Sequence, residues 1–202
     1  MAIASSAAAA AVTLVACGDS DRDGNAGRTA VRTTTTTLAQ GSPRTRPDGV
    51  VEDCSTRSQA DFPAAFSDPD NVVVGPLVLV GAASTPPETV RAVGGEKFPA
   101  LVRAGHRVTV ALSRRTRRAA GLGYGPLPEA VELRARDGHR VVTFIACPRG
   151  KPSGSATDGE PVTFRSGFVL TRSPRCVPLE VWVDDQPSPR HTALPMGVPR
   201  CA

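Results

Sequence analysis

Five cysteines offer the most chemistry in this chain: Cys17, Cys54, Cys147, Cys176 and Cys201. No two share a CxxC spacing and none has a histidine at zinc-ligand spacing, so no metal site is expected. His106, His139 and His191 show no HxH or HExxH pattern. They are read as unrelated surface residues, two of them at strand or hairpin ends. A serine nucleophile needs a strand–turn–helix elbow such as G-x-S-x-G. Lys151-Pro152-Ser153-Gly154-Ser155 reads as a flexible loop instead, and Arg165-Ser166-Gly167 falls inside a strand. Gly121-Leu122-Gly123-Tyr124-Gly125-Pro126 is glycine-rich but lacks the strand-to-helix context of a phosphate cradle. It is expected to be a mobile loop, with Tyr124 either buried or, if exposed, a ligand contact. Asp68-Pro69-Asp70-Asn71 has oxygen ligands for calcium. A proline turn before a strand is the preferred reading there. No catalytic residue and no cofactor is expected.

Positive charge is diffuse except at one place. Residues 50–202 hold 19 Lys and Arg against 15 Asp and Glu, a net of +4, once the five and four that precede them are removed from totals of 24 and 19. The dense cluster is Arg114, Arg115, Arg117 and Arg118, which follows a strand ending at Leu112. Such a cluster can touch anionic envelope polymer or lipid headgroups, at about 1 kcal/mol per charge near a membrane surface. A solvated loop between strands is the plainer reading and is preferred. Only eight residues are aromatic, too few for a base-stacking platform, and no nucleic-acid reading motif is present, so nucleic acid is not an expected partner.

The overall composition fits a globular domain with frequent turns. Hydrophobic residues make up 40% and charged residues 21% of 202, which excludes a fully disordered chain and a polytopic membrane protein. Gly and Pro number 19 each, which disfavours a long helical bundle.

Ile3 to Ala16 is an uncharged stretch of apolar and small residues, too short for a ~30 Å hydrocarbon core and the right length for a signal-peptide h-region. It ends in Leu14-Val15-Ala16-Cys17, which resembles the bacterial lipobox. The resemblance implies that residues 1–16 are a cleaved signal peptide and that Cys17 carries a diacylglycerol. The chain would then sit on the extracytoplasmic side of the cell membrane, held by that lipid. Residues 17–49 read as a disordered tether. They include five threonines from Thr33 to Thr37 and almost no large apolar residue, so ordering them gains too little burial. A coil of 49 − 17 = 32 residues spans on the order of 30 Å. All but two of the 24 basic residues are Arg, and Ala, Gly and Pro are abundant. In these respects the chain resembles extracytoplasmic lipoproteins of actinobacteria, a likeness that implies no particular activity.

Residues 50–202 must form the fold, and they read as mainly β: a single antiparallel sandwich or barrel-like domain with one or two short helices. Val72 to Val80 reads as one buried strand bent at Gly75-Pro76. His106 to Ser113 alternates, with Val108, Val110 and Leu112 on one face and Arg107, Thr109 and Ala111 on the other. Val131 to Arg136 and Arg140 to Ala146 flank Asp137-Gly138, a type I′ hairpin signal. Val162 to Leu170 is a strand interrupted at Ser166-Gly167. Val177, Leu179, Val181 and Val183 form a last apolar face. Helix is expected at Pro87 to Val93, stopped by Gly94, and at Lys97 to Ala104.

With Cys17 assigned to lipid, four cysteines remain for an oxidising compartment. A hairpin joining Val177–Asp184 to His191–Val198 would be centred at residue 188.5. Since 176 + 201 = 377, Cys176 and Cys201 would then face each other, leaving Cys54 for Cys147. The alternative pairs Cys147 with Cys176 and Cys54 with Cys201, and Pro195 and Pro199 weigh against a regular ladder near Cys201. Two functions are compatible with these features. One is a non-catalytic envelope module that binds an anionic envelope polymer or another envelope protein. The other is an envelope hydrolase with an unfamiliar site, which would need a deep pocket of convergent polar groups.

Overall fold

The computed structural model describes residues 45–56, 58–130, 132–150 and 156–201. Residues 1–44, on which the expected signal peptide, Cys17 and most of the expected tether fall, lie outside the described residues, as do residues 151–155 with the candidate serines. The described strands are β1 (Val50–Glu52), β2 (Val72–Val74), β3 (Leu77–Leu79), β4 (Gly95–Lys97), β5 (Ala100–Arg103), β6 (Arg107–Leu112), β7 (Ala120–Gly123), β8 (Val141–Ile145), β9 (Ala156–Thr157), β10 (Glu160–Arg165), β11 (Phe168–Thr171), β12 (Arg175–Val183) and β13 (Arg190–Met196). Helix α1 (Pro87–Val93) lies between β3 and β4.

Three sheets result, with strand orders β1-β8-β6-β12-β13, β2-β3-β5-β10-β9 and β4-β11-β7. Every neighbouring pair is antiparallel except β1 and β8. The domain is a mainly β, sandwich-like fold. One core is shared by all three sheets: Val108, Val110 and Leu179 come from the first, Leu77 and Val102 from the second, Leu122 and Val169 from the third. A smaller cluster, with Leu101 and Phe164, covers the other face of the second sheet under Phe62, Ala65 and Phe66. Strands rich in β-branched residues pack well on such pleated surfaces.

Several local expectations are corrected. Val72 to Val80 is not one bent strand but a tight hairpin, with Val74 opposite Leu77. Gly75 has φ +61° and Pro76 does not have positive φ, the signature of a two-residue II′ turn. Lys97 to Ala104 is not helical. Pro99 breaks that stretch, and β5 lies between β3 and β10 with Ala100, Leu101 and Val102 all buried.

Residues 132–136 form no strand, and β8 pairs with β6 and β1 instead. Gly138 does not have positive φ, so no I′ turn forms. Gly138 is needed for close approach. A Cβ there would lie 2.8 Å from the Gly121 Cα. The glycine-rich run from Gly121 is correspondingly not a mobile loop: Ala120–Gly123 is the buried strand β7. Tyr124 is buried, and its hydroxyl donates to the Phe98 carbonyl at 2.7 Å.

The interruption at Ser166-Gly167 carries the chain from β10 in the second sheet to β11 in the third. The last hairpin forms between β12 and β13, but Cys176 faces Pro195, so paired numbers sum to 371 and not 377. The chain then turns at Gly197, and Cys201 returns to Cys176 from outside the ladder, Cα to Cα 5.6 Å. Cys54 is bonded to Cys147, Cα to Cα 4.9 Å. The domain also begins before Val50: Gly49 is pressed against Val141, and the Arg46 guanidinium lies 4.0 Å from Asp185.

Candidate functional site

A cleft of about 910 Å³ opens where α1 meets the third sheet. Its first wall is set by the helix. Pro87 starts α1, and the Gly94 N–H caps it on the Val90 carbonyl at 3.0 Å. Val90 is buried in the core, which leaves Arg91, Ala92 and Val93 exposed on the last turn. The chain passes directly into β4, held to β11 by Thr171 N–H donating to the Gly94 carbonyl at 2.8 Å.

The second wall is the irregular segment from Glu132 to Arg136. A turn holds it, with the Asp137 N–H on the Arg134 carbonyl and the Asp137 carboxylate accepting the Arg134 N–H, each 2.8 Å. The Arg140 guanidinium fastens the segment from beneath, donating to the carbonyls of Ala135 and Ala120. Phe168, 38% exposed, contributes apolar surface to the cleft, and Val93, 64% exposed, stands at its rim.

Charge is what distinguishes this cleft. Arg91, Lys97, Arg134, Arg136 and Arg172 converge on it from three separate stretches of chain. Two carboxylates, Glu96 and Glu132, share it. Arg136 lies 3.6 Å from Asp137. The other four cations have no ion-pair partner among the described residues. Open, cationic and partly apolar, the cleft can hold an anionic ligand by charge and an apolar group by contact.

The sequence-derived candidates lie elsewhere. Arg114, Arg115, Arg117 and Arg118 are all exposed on a compact turn after β6, in which Thr116 and Arg117 donate backbone N–H groups to the Ser113 carbonyl. None of the four lines the cleft. Cys54, Cys147, Cys176 and Cys201 are spent in the two bridges, and Cys17 lies outside the described residues. His139 Nε2 lies 2.8 Å from the Pro126 carbonyl, and His191 is exposed opposite Glu180. Ser166 is exposed between two strands. In the Asp68–Asn71 turn, the Asn71 amide is used by the fold: it donates to the Ala65 carbonyl and accepts the Gly81 N–H. Among the described residues no group of His, Cys, Asp and Glu could hold a metal.

The five cleft cations were missed because nothing in the sequence links positions 91, 97, 134, 136 and 172. Density singles out a run such as Arg114–Arg118, whereas this cluster is made by topology. Arg134 and Arg136, two apart beside Asp137-Gly138, are the only local hint. No family model, curated protein or solved structure matches the chain.

Proposed function

We propose that this chain is a lipid-anchored, extracytoplasmic module of the cell envelope that binds an anionic envelope partner without catalysis. The observation that carries the reading is the cleft, where four cations with no ion-pair partner among the described residues meet exposed apolar surface. The lipobox likeness of Leu14-Val15-Ala16-Cys17 supports the anchor, and two disulfides suit an oxidising compartment. The Arg114–Arg118 turn is a second basic surface that can lie against anionic headgroups.

The test has two parts. The wild-type chain should partition into the detergent phase of a cell extract, and Cys17→Ser should leave it aqueous or uncleaved. The full chain should also bind immobilised polyglutamate in a salt-sensitive manner. Arg91→Glu/Arg172→Glu should abolish that binding, and Arg114→Glu/Arg115→Glu should leave most of it. Aqueous partition of the wild type overturns the anchor, and equal losses in the two double variants overturn the cleft.

A further inference from the structure

We propose that the occupant of the cleft is an extended acidic segment of a partner protein, added as a strand to the free edge of β4. The inference rests on the reading of the cleft as an anion-binding site and adds the ligand class and its mode of binding.

Among the described residues β4 is an edge strand, since β11 flanks it on one side only. Its ladder register with β11 pairs Lys97 with Phe168, Glu96 with Val169 and Gly95 with Leu170. Just beyond the ladder, Thr171 N–H donates to the Gly94 carbonyl and Phe98 N–H to the Gly167 carbonyl, at 2.8 and 3.0 Å. In an antiparallel pair the bonding residues alternate. Residues 94, 96 and 98 therefore turn their backbone groups toward β11. Gly95, which is buried, and Lys97, which is exposed, turn theirs away from β11, so the accessible part of the edge lies at Lys97. The one bond recorded there agrees: the Lys97 N–H donates to the Glu96 carboxylate of its own strand at 3.0 Å. A carboxylate already occupies a donor that a second chain would use, the kind of guard that natural edge strands carry.

Two features select a peptide over a phosphate polymer. An unpaired strand edge offers alternating donors and acceptors that an extended backbone matches and a polyol phosphate does not. The cleft also joins cations to exposed apolar surface, so alternate acidic and apolar side chains are both accommodated. Arg91, Lys97, Arg134 and Arg172 supply the charge complement.

The test uses the full chain and a capped octapeptide of alternating Glu and Val as probe. Two further probes carry N-methyl groups on every Glu or on every Val. In an added strand one of these sets of N–H groups faces β4 and the other faces solvent. One methylated probe should therefore bind at least about tenfold more weakly than the parent, a loss of about 1.4 kcal/mol, and the other should bind like the parent. Arg91→Glu/Arg172→Glu should weaken the parent by a similar factor. If both methylated probes bind like the parent, strand addition is wrong and anion binding in the cleft stands. If the octapeptide fails and a glycerol-phosphate oligomer binds, the partner is a polymer and the inference is overturned alone. If neither binds, the reading of the cleft falls with it.

Discussion

The Asp184 carboxylate ties the turn after β12 to the start of β6, accepting from the Arg107 N–H at 2.9 Å and from His106 Nδ1 at 2.8 Å. A carboxylate accepts only, so the His106 proton sits on Nδ1. Burial pushes the Asp184 carboxyl up. The Arg107 amide, the His106 ring and the nearby Arg46 outweigh that and hold it below the ordinary carboxylate value. A pKa lowered by folding adds stability above the unfolded value, and that stability fades as pH falls through the folded value. Asp184→Asn should therefore cost little in acid and most at neutral pH. The pair is partly exposed, so the neutral-pH cost should be no more than about 1 kcal/mol. Denaturant midpoints between pH 3 and pH 7 measure it, and a cost that does not change with pH would overturn the assignment.

The two disulfides should differ in weight. Cys54–Cys147 spans 93 residues and Cys176–Cys201 spans 25. Loop-closure entropy gives about 4.5 and about 3.5 kcal/mol respectively. Cys54→Ala/Cys147→Ala should lower the thermal midpoint further than Cys176→Ala/Cys201→Ala. A non-reduced digest should link Cys54 to Cys147, and a peptide joining Cys147 to Cys176 would sink the pairing.

Gly138→Ala should destabilise through collision and not through the turn. Its Cβ would meet the Gly121 Cα at 2.8 Å, where backbone lies against backbone and no side-chain end can yield. Overpacking of this kind costs about 1–3 kcal/mol. Gly81→Ala is the contrast. Gly81 has φ +72° with open space around it, so only backbone strain is incurred. Urea midpoints of the two variants separate collision from strain, and Gly138→Ala should be the lower.

Gly138 also marks where the sequence stopped being legible. Asp137-Gly138 carries the hairpin signal, but the same dipeptide serves where two chain segments must touch, and only the fold says which. Gly75-Pro76 is similar, since one glycine suits both a bulge and a II′ turn. β6 and β12 were legible because their alternation is local: Val108, Val110, Leu179 and Val181 reach the core as their spacing requires. A symmetric hairpin register predicts the Cys176–Cys201 bridge, but the ladder pairs Cys176 with Pro195, and the bridge forms because Gly197 turns the chain back beyond β13. The cleft was illegible for a different reason. Its cations lie up to 81 positions apart, from Arg91 to Arg172: β4–β11 pairing joins Arg91, Lys97 and Arg172, and the segment fastened by Arg140 adds Arg134 and Arg136.

Glu96 separates the two ways in which the cleft can hold an acidic chain. Its side chain adds a negative charge to the site and also covers the Lys97 N–H. Glu96→Gln removes the charge and keeps an acceptor in place. Glu96→Ala removes both. The side chain is partly exposed, so either variant should stay within about 0.5 kcal/mol of the parent in stability. If charge alone matters, both variants should bind the Glu-Val octapeptide more tightly and equally so. If the edge of β4 takes the backbone of the peptide, Glu96→Ala should gain further, because the N–H it uncovers is one that the added strand uses. A net hydrogen bond contributes about 1 kcal/mol, so the difference between Ala and Gln should be about fivefold. Titration calorimetry of the two variants against the octapeptide and its N-methylated forms reads it directly. The extra gain of Glu96→Ala should vanish with the methylated probe that cannot pair, and a gain that persists there would show that Glu96 acts by charge alone.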